Sequence, residues 1–211
     1  MRSSASSTLA PSDSPPDCLA PPSPLGLFAL GTTLAILILQ TRGWLNLEAW
    51  LLVVLILYGS SAMILIGLSE WRRQSQFGAV AYICAGLFCL SKIALEILPR
   101  YGFGNFPSAA SMAAYLGLWA LFGSVLCFGA RPLALAVQGV FLLLTLHLTL
   151  HSFALALSRP LLSLSADLLG LAAAACAGYC SLAICLNASR GRIVLPLGCL
   201  PPGTKAAAPE K

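Results

Sequence analysis

The sequence predicts an all-α membrane protein, a bundle of six transmembrane helices, and three observations carry that prediction. Hydrophobic residues make up 58% of the 211 and charged residues only 9%, where an ordinary soluble domain has about 25% charged. A soluble chain of this size leaves roughly 30% of its surface in water and cannot hide so much apolar material. The apolar residues also fall in runs of about 20, the length of a helix that spans a bilayer. They do not alternate in the manner of an outer-membrane strand.

Each span carries its own signals. The first runs from Leu25 to Gln40 and is opened by Pro24 at N1, where a missing N–H costs nothing. It is short for a full crossing, so the Pro-rich segment before it is expected to pack into protein and not to face lipid. The second runs from Leu47 to Leu68 and ends at Glu70-Trp71-Arg72-Arg73. The third covers Phe77 to Leu98 and stops at Pro99. The fourth covers Ser111 to Gly129, before Arg131-Pro132. The fifth runs from Leu133 to Leu157, before Arg159-Pro160, and the sixth from Leu162 to Leu186, ending at Asn187. Residues 24–199 are thus the membrane domain. Residues 1–23 are Ser- and Pro-rich with Asp13 and Asp17, too poor in large apolar groups to offset their ordering entropy, and residues 200–211 form a second loose tail. No apolar core follows Arg2 before Pro24, so the first segment is not read as a signal peptide and is expected to stay on the chain.

The formal charge of +5 comes from basic residues scattered singly between apolar runs. No basic stripe interleaved with aromatics is present, so nucleic acid is not read as a partner; the partner is the lipid bilayer. Arg2, Arg72, Arg73, Arg131, Arg190, Arg192, Lys205 and Lys211 fall on one side of a six-span chain, and Arg42, Arg100 and Arg159 on the other. That bias predicts cytoplasmic termini in a plasma-membrane protein. The sequon Asn187-Ala188-Ser189 then faces the wrong compartment for glycosylation and is read as chance.

Few residues inside the spans carry chemistry. Lys92 and Glu96 stand four apart on one face of the third span, either as an internal ion pair or as a polar station on a solute path. His147 and His151 stand four apart in the fifth, without the third ligand a metal site needs. They read as hydrogen-bonded packing histidines, with a pH-sensitive polar patch as the alternative. Gly170, Ala174 and Gly178 repeat every fourth residue in the sixth span, a small-residue seam for close helix packing within the chain or between subunits. The eight cysteines form no C-x-x-C pair and read as small apolar packing residues. No nucleotide loop, Ser–His–Asp set or paired-carboxylate site is present, so neither an enzyme nor a cofactor is expected.

Pro22-Ser23-Pro24-Leu25-Gly26-Leu27 resembles the hallmark Asn-Pro-Ala-Pro-Leu-Gly-Leu of the acetate uptake transporter family, the bacterial succinate–acetate permeases and fungal acetate permeases. The likeness continues through Tyr58-Gly59 and Gly67-Leu68-Ser69-Glu70-Trp71-Arg72-Arg73 to Phe77-Gly78. It resumes at Tyr115-Leu116-Gly117-Leu118-Trp119, and again at Arg190-Gly191-Arg192-Ile193-Val194-Leu195-Pro196-Leu197-Gly198. It extends from about Ala20 to Cys199.

The resemblance implies a homo-oligomer, commonly a hexamer, in which each protomer encloses its own pore and moves acetate and related short carboxylates with protons. Family pores narrow at a Phe, a Tyr and a Leu, which correspond by position to Leu30, Ala85 and Leu144. A solute-facing Gln corresponds to Met63, and the hallmark Asn to Pro21. Alanine at 85 implies a wider constriction and passage of longer monocarboxylates such as propionate or butyrate. Thr32, Thr33 and Tyr58 are the small polar groups placed to replace part of the solute's hydration. The departures keep two alternatives open: a sensor or scaffold of the same fold, or a transporter of another small solute such as ammonium.

Overall fold

The structure, a computed structural model, describes residues 23–45, 51 and 54–198. The expectations for residues 1–22 and 199–211, and for the start of the second span, lie outside them. Every element within them is helical. Helix α1 is Pro24–Thr41. A π-helical segment, Leu55–Ala62, passes without a break into α2, Met63–Arg72. Helix α3, Gln76–Ile97, ends in a 3-10 turn, Leu98–Tyr101. Helices α4, α5 and α6 are Ala109–Gly129, Leu135–Ala156 and Pro160–Arg190.

All of these helices except α2 are long and apolar enough to cross a bilayer. Their outward faces are apolar too: Leu118, Leu121, Val125 and Phe128 of α4 are all exposed. A helix apolar on every side belongs in lipid or in a large protein core. The chain is a helical integral membrane protein.

Contacts at the helix ends fix the course of the chain. At one end the Tyr82 hydroxyl donates to the Ser23 carbonyl at 2.9 Å and the Ser181 hydroxyl to the Pro24 carbonyl at 2.7 Å. At the other end Arg42, just beyond α1, pairs with Asp167 near the start of α6. Helix α6 therefore runs antiparallel to α1; α5 runs antiparallel to α4, with the Ser152 hydroxyl donating to the Ala113 carbonyl, and to α6, with Cys176 beside Ala136 and His147 beside Ala166. Helix α1 packs between the π segment and α6; α6 packs on α5, α5 on α4, and α3 on α2 and the π segment. The ring closes between α3 and α4, where backbone approach is sparse. Stacked and edge-on rings of Phe88, Tyr115 and Trp119 fill that gap, with Phe88 and Trp119 centroids 5.2 Å apart.

Without a hydrophobic drive between helices in lipid, close backbone approach carries the packing, and glycines permit it. A Cβ on Gly31 of α1 would stand 2.7 Å from the Ala174 carbonyl oxygen of α6. Gly170 and Ala174 are buried in this seam, as the spacing predicts. Gly178 enters the seam through its backbone, its nitrogen 3.4 Å from a would-be Cβ on Gly31, while nothing lies within 4 Å of its own would-be Cβ. The residue that the close approach requires to be small is therefore Gly31.

The C-terminal signature folds back on the bundle. Asn187 donates to the Leu195 carbonyl and accepts from the Val194 and Leu195 amides, while Gly191 ends α6 in the left-handed region at φ 60°. The Gly198 and Leu197 carbonyls then accept from the Leu135 and Ala136 amides, at 2.8 and 3.1 Å. These are first-turn N–H groups of α5, which have no partner inside their own helix. Asn187 is thus a structural anchor rather than a chance residue, and α6 continues past the expected stop at Leu186.

Gly31→Ala is expected to lower stability by about 1–3 kcal/mol, the usual cost of overpacking against backbone. Gly178→Ala is expected to leave the unfolding temperature in detergent unchanged. A larger loss at Gly178 would place the tight seam between chains and not within one.

Candidate functional site

Two cavities lie end to end inside the ring. The first, of about 50 Å³, is bounded by α1, α3, α4 and α5, and nearly all of its wall is apolar. Leu30, Ala85 and Leu144 reach it from three different helices. So do Phe88, Trp119, Phe122 and Phe141. The space expected from alanine at 85 is therefore largely occupied by rings, chiefly from α4.

The second cavity, of about 260 Å³, lies towards the Thr41 end of α1. Leu34, Leu37, Phe88 and Leu148 line both cavities and form the partition between them. Beyond that partition charged and polar side chains join a wall that stays largely apolar. Lys92, Glu96, His147, His151 and Asp167 all line it. The structure thus brings all four intramembrane polar residues of the sequence analysis into one vestibule.

Their pairing follows from position on the helices. Lys92 and Glu96 form an ion pair along one face of α3, with side chains 16% and 20% exposed. Arg42 pairs through Nε with Asp167 Oδ2, and its Nη2 donates to Ser163 Oγ at 3.2 Å. His147 Nδ1 lies 2.7 Å from the Ala166 carbonyl oxygen. A carbonyl only accepts, so that nitrogen carries the hydrogen. His151 Nδ1 stands 3.3 Å from Asp167 Oδ1 but makes no hydrogen bond among the described residues.

Asp167 is the residue that sequence reading missed. It is 4% exposed and joins α1, α5 and α6 at one carboxylate. The signal was a lone acid inside an apolar run, which at membrane depth needs a partner or a wet cavity. Arg42 is more than an orienting charge, since it is that partner.

Thr32, Thr33, Tyr58 and Met63 line neither cavity. The Thr32 hydroxyl donates within α1, to the Phe28 carbonyl at 2.9 Å. Thr33 and Met63 are fully buried, Thr33 against Gly59, with no hydrogen-bond partner for its hydroxyl among the described residues. Tyr58 packs against the apolar core.

An antiparallel helical membrane protein with an apolar constriction below a charged vestibule has the architecture of a solute pathway. The chain belongs to the GPR1/FUN34/yaaH family, whose model matches residues 6–202. It is 34% identical to the succinate-acetate/proton symporter SatP of Escherichia coli over 180 residues, covering 85% of this chain and 96% of that protein. It is 31% identical to an uncharacterized protein of Methanothermobacter thermautotrophicus over 187 residues, with 85% and 92% covered. The solved structure of the bacterial acetate channel SatP matches at a TM-score of 0.79 and 34% identity, covering 85% of this chain and 99% of that one. The family resemblance read from the motifs is confirmed.

Lys92→Met and Glu96→Leu, made singly, are each expected to destabilise the protein more than the double variant does, because each leaves an unpaired charge in a poorly solvated wall. The coupling is expected to be about 0.5–3 kcal/mol from thermal unfolding in detergent. Strictly additive losses would show that the two groups face water independently.

Proposed function

We propose that this chain carries acetate and related short carboxylates, accompanied by protons, across the plasma membrane through the centre of its own six-span bundle. The observation that carries the reading is the convergence of Leu30, Ala85 and Leu144 on one narrow apolar cavity directly behind a charged vestibule. The vestibule gathers a carboxylate, and the apolar partition refuses ions that arrive hydrated. The relative named as a succinate-acetate/proton symporter and the solved acetate channel support this choice of solute. The π segment and α2 belong to the sixth crossing. The excess of basic residues supports cytoplasmic termini, an orientation in which the vestibule opens outward. The exposed apolar flanks of α4 and α6 give subunits of a homo-oligomer surfaces on which to meet.

Purified protein in liposomes is expected to take up labelled acetate, with unlabelled acetate and propionate competing. Absence of carboxylate flux in well-folded protein would remove the proposal and favour a sensor or scaffold. Ala85→Tyr adds a ring to a cavity already lined by the rings of Tyr82, Phe88, Trp119, Phe122 and Phe141, so butyrate is expected to lose at least about tenfold more competing power than acetate. An unchanged ranking with flux intact would show that position 85 lies off the constriction.

Lys205→Cys in a cysteine-free background is expected to react with an impermeant maleimide only from the cytoplasmic side. Labelling from outside alone would reverse the proposed orientation.

A further inference from the structure

We propose that His151 takes up a proton when a carboxylate enters the vestibule, so that anion and proton load this site together. The inference rests on the carboxylate reading above and assigns its proton to one side chain.

The charges in the vestibule cancel. Lys92 is balanced by Glu96, and Arg42 by Asp167. An entering carboxylate therefore meets two satisfied ion pairs and no net positive charge, and an uncompensated anion in a poorly solvated site is costly. Compensation requires a group that gains a proton near neutral pH, which imidazole does.

Two imidazoles are present, and their surroundings separate them. His147 is 7% exposed, donates through Nδ1 to the Ala166 carbonyl, and is wedged against Gly170. It holds α5 to α6. His151 has an uncommitted Nδ1 at 3.3 Å from Asp167 Oδ1, while Arg42 engages the other oxygen of that carboxylate. The neutral ring carries one N–H and one nitrogen lone pair, and the lone pair can take a proton from a hydronium ion, whose O–H bond breaks to leave water. The doubly protonated ring has an N–H on each nitrogen, so Nδ1 then donates towards Asp167 Oδ1. Asp167 then lies between two cations, and the vestibule holds one net positive charge for the carboxylate to neutralise.

The other charged or titratable groups facing His151 are Arg42 beyond α1, Lys92 and Glu96 on α3, His147 on α5 and Asp167 on α6; α4 brings only Met112 and Leu116. Glu96 is engaged by Lys92, which leaves His151 as the open acceptor. By linkage, the proton strengthens anion binding and the anion strengthens proton binding by the same factor.

The test uses full-length protein in detergent and labelled acetate, which stays ionised above about pH 6 because a carboxyl titrates near 4. Parent protein is expected to bind acetate about tenfold more tightly at about pH 6 than at about pH 8. In weak buffer near the imidazole range, acetate addition is expected to draw up to about one proton per anion bound. His151→Gln is expected to bind with no pH dependence. His151→Lys, with a fixed charge, is expected to bind tightly at both pH values. Flat binding and no proton uptake in the parent, or an unchanged pH slope in a folded His151→Gln or His151→Lys protein, would overturn the assignment while leaving transport intact. Parent protein that binds no acetate at any pH would instead remove the function proposed above.

Discussion

Ser181 holds the Pro24 carbonyl at the first turn of α1, Gly31 lets the middle of α1 lie on Ala174, and Asp167 holds Arg42 just past its end. All three contacts join α1 to α6, at three heights in the bundle. Helix α1 has 18 residues, about 27 Å, which is less than the hydrocarbon thickness of about 30 Å. A helix that short cannot be positioned by its two interfaces with water. Its position comes from α6, which has 31 residues and projects beyond the membrane. With α1 fixed, Leu30 meets the narrow cavity, while Leu34 and Leu37 stand in the partition. The constriction thus depends on one close interhelical seam.

The polar end of that seam is tolerable only because of where it lies. A carboxylate as buried as Asp167 is expensive unless it is paired and hydrogen-bonded. Arg42 occupies one oxygen, and the other lies 3.3 Å from an imidazole nitrogen beside a cavity roomy enough for water. The site is therefore neither a dry ion pair nor a solvated one. Arg42 lies beyond α1, where its outer nitrogen also reaches Ser163, so the pair closes the bundle at the mouth and not in its middle. The polar residues on α3 form a second, local pair, which adds no tie between helices.

The sequence made the helices legible because lipid leaves few alternatives, and Pro24 marks one start accurately, while α6 begins at Pro160, ahead of the expected Leu162. It was less informative at the end of α6, where the last residues are held by an amide that folds the tail back. Asn187 makes three hydrogen bonds to residues 194 and 195, a contact that no periodicity announces. The π segment was also invisible, since Ser60 and Ser61 bond to carbonyls five residues back in a run with ordinary helical composition. At the site, spacing was enough for Lys92 and Glu96, which share one helix face. It was not enough for Asp167, whose partner lies 125 residues away in the chain. Positional likeness brought Leu30, Ala85 and Leu144 to one cavity but left Met63 in the core, because the π segment sets how the side chains of that span are aimed.

The narrowness of the first cavity has a physical source that a residue-by-residue comparison hides. Alanine at 85 removes a ring from the α3 wall, yet about 50 Å³ remains open. The reason is the sparse backbone contact between α3 and α4. Helices held apart there leave room for large side chains, and Trp119 stands edge-on to both Phe88 and Phe122. The Tyr115 hydroxyl, 2.6 Å from Ser91 Oγ, secures this aromatic wall to α3. Rings packed against rings hold one another in place, so the wall of this cavity keeps its bulk with alanine at 85. The narrowness of this cavity is therefore a property of the α3–α4 seam as a whole. The same spacing that weakens one helix contact supplies the bulk that narrows the cavity.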